Sequence, residues 1–132
     1  MIFVNLPVKD LARSVAFFTE LGFSFNPQFT DENATCLVIS PEISIMLLVE
    51  KFFQTFTKKA LTDATQSTEV ILSLSMDSRE QVDDLMAKAI AAGGTVPKES
   101  QSPDFMYNRS FQDLDGHLWE VFYMDLAAMP TA

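Results

Sequence analysis

The 132-residue chain carries 18 acidic and 9 basic residues, a formal net charge of −9. Such a surface repels phosphate backbones and anionic lipid headgroups, so neither nucleic acid nor a membrane is expected as a partner. A hydrophobic content of 48%, including twelve Phe, provides for a folded core and argues against disorder.

The first element is an apolar, strand-like run at 2–7, followed by Val8-Lys9-Asp10 and an amphipathic helix at 10–21. Leu11, Val15, Phe18 and Leu21 fall at helical spacing on one stripe. Asp10 is placed to cap the first amides, and Gly22 to end the helix in a left-handed conformation. Strands are predicted at 23–29, 34–40 and 43–50, separated by Asp31-Glu32-Asn33 and by Pro41. Cys36, the sole cysteine, lies in the apolar run Ala34 to Ile39, where buried packing is expected of it and an intrachain disulfide is impossible. The start of the chain lacks a signal-peptide pattern, so the cytoplasm is the expected location. The stretch 51–68 reads as a linker, with Phe52, Phe53 and Phe56 in need of cover.

A second strand-like run at 69–76 then leads into a helix at 78–92. Val82, Leu85, Met86 and Ala89 form its stripe, Ser78 and Gln81 a capping box, and Gly93-Gly94 its stop. Strands at 94–98, 105–113 and 117–124 follow, with a hairpin signal at Asp115-Gly116 between the last two. The loop from Pro97 to Met106 is placed to act as a lid. The two halves therefore repeat β-α-β-β-β, offset by 67 residues at Asp10/Asp77. The expected fold is α+β: module one at 1–50, the linker, module two at 69–125 and a tail at 126–132.

Two local sequences sharpen this. One is Leu6-Pro7-Val8-Lys9-Asp10-Leu11 with Ser14, Phe17-Phe18 and Leu21-Gly22-Phe23; the other is Phe111-Gln112-Asp113-Leu114-Asp115-Gly116-His117-Leu118-Trp119-Glu120. With the doubled βαβββ plan, the chain resembles the vicinal oxygen chelate superfamily of glyoxalases, bleomycin-resistance proteins and extradiol dioxygenases. Within it, the chain looks like the branch labelled predicted lactoylglutathione lyase. The resemblance implies a cupped sheet built from both halves, usually completed in a homodimer, that holds a small molecule. In metal-using members, four strands each donate a His or Glu to a divalent ion that binds vicinal substrate oxygens.

Carried over position by position, those four places fall on Phe3, Met46 (or Leu48), Ile71 and Glu120. Only Glu120 keeps the His or Glu type of those members, and the single histidine, His117, is an odd number of residues away and expected on the opposite face. No metal and no other cofactor is therefore expected. A metal-dependent lyase or dioxygenase remains the alternative, with atypical ligands such as Glu50 or Glu69 beside Glu120.

A carboxylate among apolar side chains needs a partner. A hairpin loop of two or four residues would put Arg109 on the Glu120 face, with Phe111, Leu118 and Phe122 beside them. Asn5 shares the face of Phe3, and Ser73 and Ser75 that of Ile71. The expected ligand wall is thus Phe3, Asn5, Met46, Leu48, Ile71, Ser73, Arg109, Phe111, Glu120 and Phe122, with Glu120 the one candidate for a catalytic role.

Overall fold

The structure, a computed structural model, describes residues 1–99 and 103–129. It is mixed α+β and divides into two compact units, Met1–Asp63 and Ala64–Ala132, each with its own sheet. The residues expected in the linker are thereby shared between the units, and residues 130–132 of the expected tail lie outside the described residues.

In the first unit, β1 (Ile2–Val8) leads to α1 (Leu11–Glu20), and β2 (Ser24–Asn26), β3 (Ala34–Ser40) and β4 (Ile43–Val49) follow. The sheet order is β1-β4-β3-β2, with β1 parallel to β4 and the other pairs antiparallel. Asp10 caps α1 by accepting from the Arg13 amide at 3.0 Å, and Gly22 closes it at φ +97°. Leu6, Val8, Leu37, Ile45 and Leu47 share the sheet face buried with Phe17 and Phe18. Burying a large apolar side chain of this kind contributes about 1.5–3 kcal/mol. The strand expected at 23–29 stops at Asn26, because Pro27 opens a 3₁₀ turn that Asn26 caps by accepting from the Gln28 amide. After β4, α2 (Glu50–Phe53) and a 3₁₀ turn continue the chain, and Phe52 meets Phe56 edge to face at 5.1 Å. Phe52 and Phe53 are half-buried, whereas Phe56 is exposed.

The second unit repeats the plan. Here β5 (Ile71–Ser75) leads to α3 (Arg79–Ala91), and β6 (Met106–Gln112) and β7 (Leu118–Met124) complete a sheet of order β5-β7-β6. Again the first strand runs parallel to the last. The strand expected at 94–98 shrinks to a single bridge, Thr95 to Gln112. Its proline explains this, since Pro97 has no N–H to donate to a ladder. The helix caps are Asp10 and Ser78, so the repeat aligns one residue away from the Asp10/Asp77 pair. Val82, Leu85, Met86 and Ala89 are all buried, and Phe111, Trp119 and Val121 on the facing sheet are fully enclosed. No helix among the described residues is long and apolar enough to cross a membrane.

Candidate functional site

The parity of the last hairpin decides which side chains can meet. Gln112 pairs with Leu118, so five residues, Asp113 to His117, form the loop. Asp113 holds it together. Its Oδ1 accepts from the amides of Asp115 (2.9 Å) and His117 (3.0 Å), and its Oδ2 from Trp119 Nε1 (3.0 Å). Burial pushes the Asp113 carboxyl above the ordinary carboxylate range; the charge of His117 and the bonds from Trp119 and Asp115 pull the other way.

A loop with an odd number of residues reverses the expected facing. Ser110, rather than Arg109, lies opposite Glu120, and Arg109 lies opposite Val121 on the helix side. There the Arg109 Nη1 meets Asp83 Oδ1 at 3.2 Å, and the Tyr107 hydroxyl donates to the same oxygen at 2.6 Å. Arg79 sits over the Tyr107 ring at 5.1 Å. The hydrogen bond to Asp83 is the main reason the Tyr107 phenol is raised above its usual value. The expected Arg109–Glu120 pair does not form. Phe111 leaves the expected ligand wall for the same reason and stacks on Trp119 in the core with ring centroids 6.1 Å apart.

The other face of this sheet carries the candidate site. Register places Ser73, Glu120 and Ser110 in one row across β5, β7 and β6. Ile71 and Leu118 form the next row on one side, and Ser75, Phe122 and Asn108 the row on the other. A pocket of about 520 Å³ opens here, lined by Ile71, Asn108, Ser110, Leu118 and Glu120 from the sheet and by Pro97, Lys98 and Glu99 beyond the bridge. Of the expected lid, residues 97–99 thus line the pocket, and residues 100–102 lie outside the described residues. Among the described residues no hydrogen bond or ion pair reaches the Glu120 carboxylate. Asn108 and Ser110 were not anticipated from sequence; an odd loop length would have indicated both.

In the first unit, Phe3, Asn5 and Met46 share the sheet face turned away from α1, as does Leu48. Asn5 and Leu48 line a smaller pocket of about 240 Å³ with Phe53, Phe56 and Thr57 from the segment after β4. Phe3 meets Phe29 edge to face at 6.5 Å.

A family model for the bleomycin resistance protein-like N-terminal region matches residues 1–40. Among solved structures, a hypothetical protein from S. aureus is 32% identical, with 93% of this chain and 92% of that one covered and a TM-score of 0.80. A glyoxalase/bleomycin resistance protein/dioxygenase family enzyme from Burkholderia phytofirmans is 19% identical over 92% and 96% of the two chains, at a TM-score of 0.76. This chain belongs to the vicinal oxygen chelate superfamily. Another member of that fold, the fosfomycin resistance protein FosX from Listeria monocytogenes complexed with Mn(II) and sulfate, is 20% identical over 96% and 90%, at a TM-score of 0.69. No curated protein matches the chain.

Membership makes the metal question specific. Phe3 and Met46 lie on one face of the first sheet, Ile71 and Glu120 on one face of the second. Phe and Ile offer no donor atom, and a Met thioether suits soft ions rather than Mg²⁺ or Mn²⁺. Among the described residues no three of His, Cys, Asp and Glu gather into a metal-holding group. The residues at the four positions do not fit the superfamily's divalent site.

Proposed function

We propose that this protein binds a small molecule on the Glu120 face of the second sheet, without a divalent ion held by protein ligands. The observation that carries the reading is the 520 Å³ pocket at Glu120, which combines apolar walls (Ile71, Leu118) with a few convergent polar groups (Asn108, Ser110, Lys98). Its volume lies within the range of small-molecule sites, about 300–1,000 Å³. Glu120 is the group around which the ligand orients. Ser73 and Phe122 extend the same face, and Asn5, Leu48, Phe3 and Met46 form the corresponding face of the first unit. The reading assigns binding and no reaction.

A screen of about a few hundred fragments against chelator-treated, ¹⁵N-labelled protein tests it. Amide shifts should concentrate at Ile71, Ser110, Leu118 and Glu120, and Glu120→Gln should weaken those hits by about tenfold. Hits that map only to the smaller pocket beside Asn5 and Phe53 would count against it.

We also propose a cytoplasmic homodimer. Ile2 (60% exposed), Phe3 (44%) and Phe56 (68%) are large apolar side chains that a partner copy would cover. Sedimentation velocity at micromolar concentration should give about twice the monomer mass of 14.8 kDa. A single monomeric species at that concentration contradicts the dimer.

A further inference from the structure

We propose that the ligand group seated at Glu120 is an organic cation: an ammonium or amidinium nitrogen carried on an apolar body. The inference rests on the binding site proposed above and adds the chemical class of its occupant. Three oxygen-bearing side chains, Ser73, Glu120 and Ser110, stand in one row on adjacent strands, which lie about 4.7–4.9 Å apart. An ammonium has three N–H donors and no acceptor, which matches a carboxylate flanked by two hydroxyls. Charge-assisted bonds of this type are about twice as strong as neutral ones.

The protein itself does not supply that cation. Arg109 is held on the far side of the sheet by Asp83, and no ion pair or hydrogen bond reaches the Glu120 carboxylate from any described residue. Lys98 lines the same pocket, yet it makes no ion pair with Glu120, and Glu99 beside it adds a second carboxylate to the wall. An anionic ligand would therefore meet two carboxylates and one lysine on a chain of net charge −9. Ile71, 56% exposed, and Leu118 lie one row away and offer apolar surface to the rest of the ligand.

The test uses three probes on one skeleton: 2-phenylethylamine, 2-phenylethanol and 3-phenylpropionate. Each is titrated into the full-length, chelator-treated protein at low ionic strength, with binding located by amide shifts. The amine should bind about tenfold or more tighter than the alcohol, the carboxylate more weakly than either, and salt should erode the difference. Glu120→Gln should bring amine and alcohol to equal affinity, Ser110→Ala should weaken the amine selectively, and Lys98→Ala should keep or enlarge its advantage. Equal affinities in the unaltered protein, a tighter carboxylate, or an amine preference that survives Glu120→Gln each overturn the cation while leaving the binding site in place. If none of the three shifts the amides around Glu120, the cation and the site proposed above both fail.

Discussion

Replacing Trp119 by Ala should lower stability by about 3–5 kcal/mol, a large fraction of the total for a chain of this size. Trp119 is fully enclosed, lies parallel to Phe111 and donates its indole N–H to Asp113. The substitution removes an aromatic ring from the core and a hydrogen bond from the carboxylate that organises the last hairpin. Trp119→Phe largely separates the two effects, since it keeps an aromatic ring, though a smaller one, and deletes the donor. Its cost should be about 1–3 kcal/mol, that of leaving a buried acceptor short of a partner. Denaturant unfolding of both variants gives the ranking, with Trp119→Phe the smaller loss, and a Trp119→Phe loss near zero would show that the Asp113 bond contributes nothing.

The same carboxyl has a pH signature. Burial raises its native value above the 3.8 expected in the unfolded chain, so between those two values the folded state holds more protons than the unfolded state. The stability this group contributes is therefore complete below about 3.8 and declines as pH rises through the native value. Asp113→Asn removes that titration. The stability difference, wild type minus Asn variant, should shrink with rising pH across the window. A difference that grows with pH would mean that the hydrogen bonds outweigh burial.

Gly116→Ala should be the second costly change. Gly116 has φ +88°, and a Cβ there would lie 2.9 Å from the backbone of Ala64 and Thr65. Gly22 provides the control, because its φ is +97° and a Cβ at that position would meet nothing within 4 Å. Both substitutions incur the left-handed penalty of about 1–3 kcal/mol. Only Gly116→Ala also drives a methyl into backbone, which cannot rotate away as a side chain could. Thermal unfolding should rank Gly116→Ala well below Gly22→Ala, and a tie would contradict the close approach of the 64–65 segment to the hairpin.

Much of the fold was legible because it is set by local chemistry. The stripe of Val82, Leu85, Met86 and Ala89, the caps Asp10 and Ser78 and the stop at Gly22 each act within one or two turns of helix. The doubled plan followed from those signals repeating. The site was less legible, because facing in a hairpin depends on a single integer, the loop length, that Asp115-Gly116 alone does not determine. Asp113 sets it, by accepting from amides two and four residues ahead, and this one-residue difference moved Arg109 and Phe111 from the site face to the helix face. The pocket wall at Pro97, Lys98 and Glu99 was legible only as a loop near the site, because chain outside any strand has no register to say which side chains face inward. Phe3 and Ile71 also proved more exposed than core residues, at 44% and 56%, so truncating either should cost far less than the 2–5 kcal/mol of a fully buried side chain.

The central claim is that the Glu120 face takes a small molecule without a protein-held divalent ion. Calorimetric titration of chelator-treated protein with Mn²⁺, Ni²⁺ and Zn²⁺ tests it most directly. The account predicts no stoichiometric site tighter than about 100 μM, and no difference between the unaltered protein and Glu120→Gln, because one carboxylate without co-ligands does not retain such an ion. A one-to-one site of micromolar or tighter affinity that disappears in Glu120→Gln would contradict it.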